Sequence, residues 1–161
     1  MPTPEEGEEE IQISLLTAAK TLKQTSISLP PPSPTELQIA IRSTTLCGSD
    51  LHYYNHYRNG DIIIKAPLVL GHESSGVVTA VGEGVREKWS VGDRVALEVG
   101  VPCGECGECS SGRYNICSGM KFRSSAKADP HYWGTLQEKI NHPARWCHKY
   151  LLSHPHPTLR N

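Results

Sequence analysis

At 161 residues, with 37% hydrophobic and 20% charged side chains, the chain has the size and composition of one folded domain with tails. Its net charge of −1 is uneven: residues 1–10 hold five glutamates and no basic residue, so the remainder carries a net +4, too mild and scattered for a nucleic-acid surface. No run approaches ~18 consecutive apolar residues and the first residues show no basic-then-apolar leader, so neither a membrane partner nor export is expected, and the expected location is cytoplasmic.

Residues 1–10 read as an acidic, disordered lead-in. Ile11 to Leu16 alternate apolar and polar and predict a half-buried strand, a habit that Ile27 and Leu29 continue weakly. Pro30, Pro31, Pro32 and Pro34 then force a loop. Leu37, Ile39 and Ile41 restart strict alternation in a strand that runs into Thr44 and Thr45. Cys47-Gly-Ser-Asp-Leu-His-Tyr-Tyr follows, with Ser49 or Asp50 placed to cap a short helix. Asn59-Gly60 is a turn, and the apolar run Ile62 to Leu70, broken by Pro67, leads to Gly71-His72-Glu73. Val77, Val78, Ala80 and Val81 predict a buried strand closed by Gly82 and Gly84. Val91 to Val95 reads as a turn entering a strand through Leu97 and Val99. Gly134 to Ile140 and Pro143 to Cys147 read as late strands. Many short strands with frequent turns argue a mainly β fold, a barrel or a sandwich. There is no internal repeat, and no G-x-G-x-x-G lies between a strand and a helix, so a dinucleotide-binding βαβ unit is expected to be absent.

Six cysteines in a chain without an export leader favour metal ligation over disulfides. Four of them, Cys103, Cys106, Cys109 and Cys117, are spaced C-x2-C-x2-C-x7-C, with Gly104 and Gly107 relieving the tight turns. Four thiolates close a tetrahedron around zinc and leave no position for water or substrate, so this zinc is structural. An iron–sulfur cluster shares the C-x2-C-x2-C run but lacks the matching fourth cysteine and its proline; it and a disulfide pair remain the alternatives. Cys47, His72 and Glu73 form a second candidate set, since one thiolate, one imidazole and one carboxylate suit an open, catalytic zinc. Each taken alone has a plainer reading, as a core cysteine, a hydrogen-bonded histidine and a surface glutamate.

Thr45-Leu-Cys-Gly-Ser-Asp-Leu-His52, Gly71-His-Glu-Ser-Ser-Gly-Val-Val-Thr-Ala-Val-Gly-Glu-Gly84, Val91-Gly-Asp-Arg-Val95 and the four-cysteine lobe occur in this order. Together, over roughly residues 11–149, they resemble the N-terminal GroES-like domain of zinc-containing medium-chain alcohol dehydrogenases. The Cys-Gly-Ser-Asp-Leu-His-Tyr form and Gly-Thr-Leu at 134–136 resemble the sorbitol, xylitol and L-arabinitol (polyol) dehydrogenase branch. The resemblance implies a partly open β-barrel with short helices, in which Cys47 and His72 bind a catalytic zinc and Glu73 binds or tunes it. It implies that a polyol hydroxyl loses its proton through Ser49 and then His52, while hydride passes to NAD. Tyr53 and Phe122 are implied as walls around the polyol chain and Asp50 as a structural hydrogen-bonder, while Cys147 matches no ligand position and reads as core.

Two departures qualify this. The family's NAD-binding domain and its further active-site ligand lie beyond the stretch covered here, and residues 150–161 match nothing in the family's pattern. The expectation is a zinc-binding catalytic-domain fragment that does not turn over alone. A non-catalytic zinc-binding domain, or a truncated, frame-shifted or mis-spliced product, is the alternative. His154 and His156, each followed by proline, read as incidental rather than as a metal tail. A domain of this kind is also expected to expose an apolar face and self-associate through it.

Overall fold

The structure is a computed structural model that describes residues 7–150. In chain order it contains β1 (Glu9–Ala18), β2 (Thr21–Leu29), β3 (Glu36–Thr45), helix α1 (Gly48–His56), β4 (Arg58–Asn59), β5 (Ile62–Ile63), β6 (Leu68–Val69) and β7 (Glu73–Val81). There follow β8 (Arg94–Leu97), β9 (Gly100–Val101), a one-turn helix α2 (Gly107–Ser110), β10 (Lys121–Phe122), β11 (Lys139–Pro143) and β12 (Cys147–Lys149). A five-stranded sheet runs β11-β3-β7-β8-β12 and a three-stranded one β2-β1-β6, and every strand pair in them is antiparallel.

Residues 134–138 close the barrel between these sheets. Ser14 N–H donates to Leu136 O (2.9 Å) and Glu138 N–H to Gln12 O (3.0 Å), while Ile41 N–H donates to Glu138 O (2.9 Å). The late strand predicted over Gly134 to Ile140 is therefore strand only from Lys139 onward. Its first part leaves the ladder because Gly134, Thr135 and Leu136 donate to Val69, Gly71 and Leu70 instead. Gly134 is required there: a Cβ would stand 2.3 Å from the carbonyl oxygens of both Leu70 and Gly71. The strand predicted through Leu97 and Val99 likewise ends at Leu97.

The alternation of β1 buries Ile11 and Ile13. Leu37, Ile39, Val78, Val95, Ile140, Ala144 and Cys147 form the main core cluster. Each such aliphatic side chain contributes roughly 1.5–3 kcal/mol relative to exposure. Cys147 is core as expected, its thiol pushed up to about 12 by burial. β1 begins at Glu9, so Glu9 and Glu10 of the acidic lead-in pair with Leu29 and Ser28 rather than being unstructured. Residues 1–6 and 151–161, with the His154/His156 tail, lie outside the described residues. Among the described residues no helix is long and apolar enough to cross a membrane.

One polar post passes through this apolar frame. Arg123, 5% exposed, donates from Nε to His142 Nδ1 (3.1 Å), from Nη1 to Trp133 O (3.0 Å) and from Nη2 to Asn141 O (2.5 Å). Its guanidinium also lies 4.6 Å over the Tyr132 ring. His142 is fully buried and contacts Glu98 O through Nε2 at 3.1 Å. An imidazole that accepts at Nδ1 and donates at Nε2 is neutral; burial, then the adjacent guanidinium, holds its pKa down to about 3.

Candidate metal centres

The four-cysteine segment folds on itself without help from distant strands. Gly104 and Gly112 take left-handed φ values of +83° and +80° at its turns, and Cys106 caps α2. The Sγ atoms stand 3.5 Å apart for Cys106–Cys109 and for Cys103–Cys117, 3.8 Å for Cys106–Cys117 and 3.9 Å for Cys103–Cys109. An ion ~2.3 Å from four sulfurs at tetrahedral corners sets edges of roughly 3.8 Å. The spacing excludes disulfides, which need sulfurs about 2.05 Å apart, and all four cysteines are free. It also leaves room for one ion and not for a cube of irons that places each thiolate on a different iron. The backbone N–H groups of Glu105 and Cys106 draw the Cys103 thiol down to about 6, whereas desolvation pushes Cys109 up to about 12. Thiols this crowded cannot all ionise unless a cation sits among them, so the donor set fits zinc.

The second set is assembled from separated segments. Cys47 ends the run out of β3 and caps α1; His72 immediately precedes β7 and Glu73 begins it. Ligand atoms of Cys47, His72 and Glu73 lie within 4.8 Å of one another. His72 is 8% exposed, Cys47 half-buried and Glu73 exposed. Three protein donors leave a fourth position open, the arrangement of catalytic rather than structural zinc.

Asp50 holds this set in register. It is 1% exposed, and its Oδ1 accepts from Gly71 N–H (3.0 Å) and Ser124 Oγ–H (2.7 Å) while Oδ2 accepts from Cys47 N–H (3.1 Å). His72 Nδ1 stands 3.5 Å from Oδ1, an ion-pair contact rather than a well-directed hydrogen bond. Burial pushes the Asp50 carboxyl up, but His72, Ser124 and the two backbone N–H groups outweigh it and bring it to about 2. Asp50 raises the His72 ring to about 9 against burial, with Cys47 adding to the effect. The Cys47 thiol is lowered first by the Ser49 backbone N–H, as expected of sulfur at a helix N-terminus. Gly71 makes the approach possible: at φ +88° it has no Cβ, which would otherwise meet Thr44 Cγ2 at 2.7 Å. Thr45 Oγ1 donates to Glu73 Oε2 and fixes that carboxylate from the neighbouring strand.

Residues 33–152 match the alcohol dehydrogenase GroES-like domain. The chain belongs to this family. It is 47% identical over 117 residues to L-arabinitol 4-dehydrogenase of Aureobasidium melanogenum, spanning 73% of this chain and 30% of that one. It is 41% identical over 142 residues to sorbitol dehydrogenase of Arabidopsis thaliana, spanning 88% and 38%. The solved L-idonate 5-dehydrogenase of Escherichia coli matches with a TM-score of 0.79 at 30% identity, covering 90% of this chain and 41% of that one. The chain thus spans about a third of the length of the curated relatives it matches.

Within this GroES-like domain the remaining predicted residues divide by helix face. Ser49 and His52 share the outer face of α1, Ser49 half-buried beside the Cys47 thiol and His52 exposed. Phe122, 42% exposed, sets its ring edgewise to His72 with centroids 5.3 Å apart. Tyr53 is a correction. It is 2% exposed, packed with Leu16, Leu68, Leu70 and Ala126, and its hydroxyl accepts from Ala126 N–H at 3.3 Å. The helical period explains it, since Asp50 and Tyr53 lie three apart on the inner face. The helix cap is also corrected: Cys47 occupies the position expected for Ser49 or Asp50, and Asp50 folds back onto the Cys47 N–H. Ser124 has no role by sequence, and Thr135 only a place in the Gly-Thr-Leu motif; Thr135 is 1% exposed and its hydroxyl bonds those of Ser74 and Thr44.

Proposed function

We propose that these residues form the metal-holding, substrate-polarising domain of a polyol dehydrogenase, within which residues 11–149 are the folded unit and 150–161 depart from it. The observation that carries this reading is the convergence of Cys47, His72 and Glu73 within 4.8 Å, beside Ser49 and under Phe122. Cys47 and His72 are the residues that would hold zinc, through the thiolate and the ring nitrogen turned away from Asp50. Glu73 either joins them or, held by Thr45, tunes them. Zinc bound there supplies Lewis acidity that lowers the pKa of a substrate hydroxyl. Ser49 takes the proton of that hydroxyl and passes it to exposed His52, from which it reaches solvent. Phe122 shields the reacting carbon and gives the alkyl backbone of a polyol an apolar surface. NAD supplies the hydride acceptor, and the described residues contain no βαβ unit to seat it.

The 161 residues alone are therefore expected to give no NADH from NAD with sorbitol, xylitol or L-arabinitol. Sustained NADH production by them would overturn that part of the proposal. A second reading, a zinc-stapled domain with no chemistry of its own, is favoured by the completeness of the four-cysteine lobe beside the open set. Metal analysis separates the two. One tightly held zinc per chain, with a second, exchangeable one lost in Cys47→Ser, supports the first; no zinc beyond the first that depends on Cys47 supports the second.

Leu46, Leu51 and Leu22 are 62%, 52% and 44% exposed, and with Tyr54, Leu70 and Leu136 they line an apolar groove beside α1. This is the face through which the chain is proposed to associate. A monodisperse monomer in sedimentation at high concentration would refute it.

A further inference from the structure

Helix α1 carries two imidazoles arranged for a task that no part of the site above requires. His52 and His56 are one helical repeat apart, both exposed, with ring centroids 6.1 Å apart and planes tilted by 36°. Side chains at i and i+4 are neighbours on one helix face. Among the described residues neither ring has a hydrogen-bond or ion-pair partner, and neither belongs to the two donor clusters already described. Their lone pairs are uncommitted.

We propose that His52 and His56 chelate a third divalent transition-metal ion, of the imidazole-binding class that includes Zn(II), Ni(II) and Cu(II). Two imidazole nitrogens suit these metals, whereas Mg(II) and Ca(II) call for oxygen donors. An ion ~2.1 Å from each ring nitrogen needs centroids roughly 5 Å apart, so the rings close by about an ångström. Exposed side chains make that movement by rotation about χ1 and χ2. The backbone that carries them is already fixed: Asp50 and Tyr53 are buried on the opposite face, and Tyr57 N–H closes the last turn on Tyr53 O at 2.9 Å. His56 lies in that last turn, where the helix dipole favours a cation. Two ligands make a weaker, exchangeable site than four thiolates. If His52 carries protons as proposed above, occupation of this pair removes its acceptor, so excess metal inhibits turnover; that consequence alone rests on the relay.

The test uses the full chain carrying Cys47→Ser, so that the open donor set takes no metal, first saturated with zinc and dialysed, then titrated with Ni(II). Calorimetry of this chain and of its His154→Asn/His156→Asn variant is expected to show one further equivalent. In His56→Asn the affinity of that equivalent falls by roughly ten-fold or more, because the second ligand no longer acts intramolecularly. With no further substitution, Ni(II) broadens the ring proton signals of His52 and His56 before those of other histidines, a readout that survives any folding defect of a histidine variant. Undiminished binding in His56→Asn, loss of binding in the tail variant, or broadening that spares His52 and His56 would overturn the proposal. None of these outcomes depends on NAD, polyol or turnover.

Discussion

The two cysteine-bearing centres of this domain differ in how their donors are brought together. Cys103, Cys106, Cys109 and Cys117 come from fifteen consecutive residues and already stand at sulfur separations of 3.5–3.9 Å. Cys47, His72 and Glu73 come from the end of β3 and the start of β7, and one buried carboxylate, Asp50, ties both segments to the loop that carries Ser124. The first centre is closed and local, so a metal bound there would order its own lobe. The second is open and depends on the barrel, so the protein must hold the donors still without a fourth one. A closed site reports stability; an open site reports chemistry.

The largest expected effect breaks the closed centre. Cys109→Ser removes one corner of the tetrahedron and should take the tightly held zinc from about one per chain to nearly none. Structural zinc contributes on the order of 10 kcal/mol to the fold it organises. Hydrogen exchange should therefore become fast across residues 100–122 while β1, β3 and β7 keep their protection. Retention of the zinc, or collapse of the whole barrel, would show that the lobe is not an independent unit.

Next in size is the carboxylate that holds the open centre. Asp50→Ala leaves Gly71 N–H, Ser124 Oγ and Cys47 N–H without their acceptor, and should cost about 3–5 kcal/mol in denaturant unfolding. Asp50→Asn keeps an acceptor but no charge, and should cost about 1–3 kcal/mol while weakening the exchangeable zinc ~10–100-fold. The lobe zinc should be untouched in both. Equal loss of both zincs would mean that the two centres are not independent.

These two substitutions also mark what the sequence made legible. The lobe could be read because its ligands, turn glycines and spacing sit in one short window. The strands could be read where alternation met a one-sided core, as at Ile11 and Ile13 or Leu37 and Ile39. The donors of the open centre could be placed only through ordered family motifs, because no local pattern joins Cys47 to His72. Ser124 reaches Asp50 across 74 residues, and a lone serine after Phe122 and Arg123 carries no sign of it. Arg123 and His142 read by type as surface residues, yet they are buried because each satisfies the other's polar atoms. Tyr53 was recoverable: the 3.6-residue period separates Asp50 and Tyr53 from Ser49, His52 and His56.

The Arg123–His142 post belongs to neither centre and separates stability from metal. His142→Gln keeps a donor for Glu98 O but removes the acceptor for Arg123, and should cost about 1–3 kcal/mol at neutral pH. The native ring, with its pKa lowered to about 3, stays neutral where the unfolded ring, near 6.5, takes up a proton. Its contribution is therefore fully present above about 6.5 and is lost as pH falls toward 3, by at most ~1.4 kcal/mol per pH unit. The glutamine variant has no such loss, so its stability gap to the parent should narrow between pH 7 and pH 5. A gap that widens on acidification would mean that His142 is charged in the fold.

The smallest effects distinguish core from wall inside the open centre. Tyr53→Phe loses one hydrogen bond to Ala126 N–H and should cost about 1 kcal/mol without altering zinc binding. Phe122→Ala gives up an edge contact worth ~0.5–1.5 kcal/mol, discounted because Phe122 is 42% exposed, so its stability change should fall at or below that of Tyr53→Phe. Its effect should appear instead at the metal. Without the ring edge, His72 is more accessible to water, and the exchangeable zinc should leave faster to a chelator. If Tyr53→Phe speeds zinc loss and Phe122→Ala does not, the roles assigned to the two aromatics are reversed. The inner face of α1 would then be the one that shapes the site.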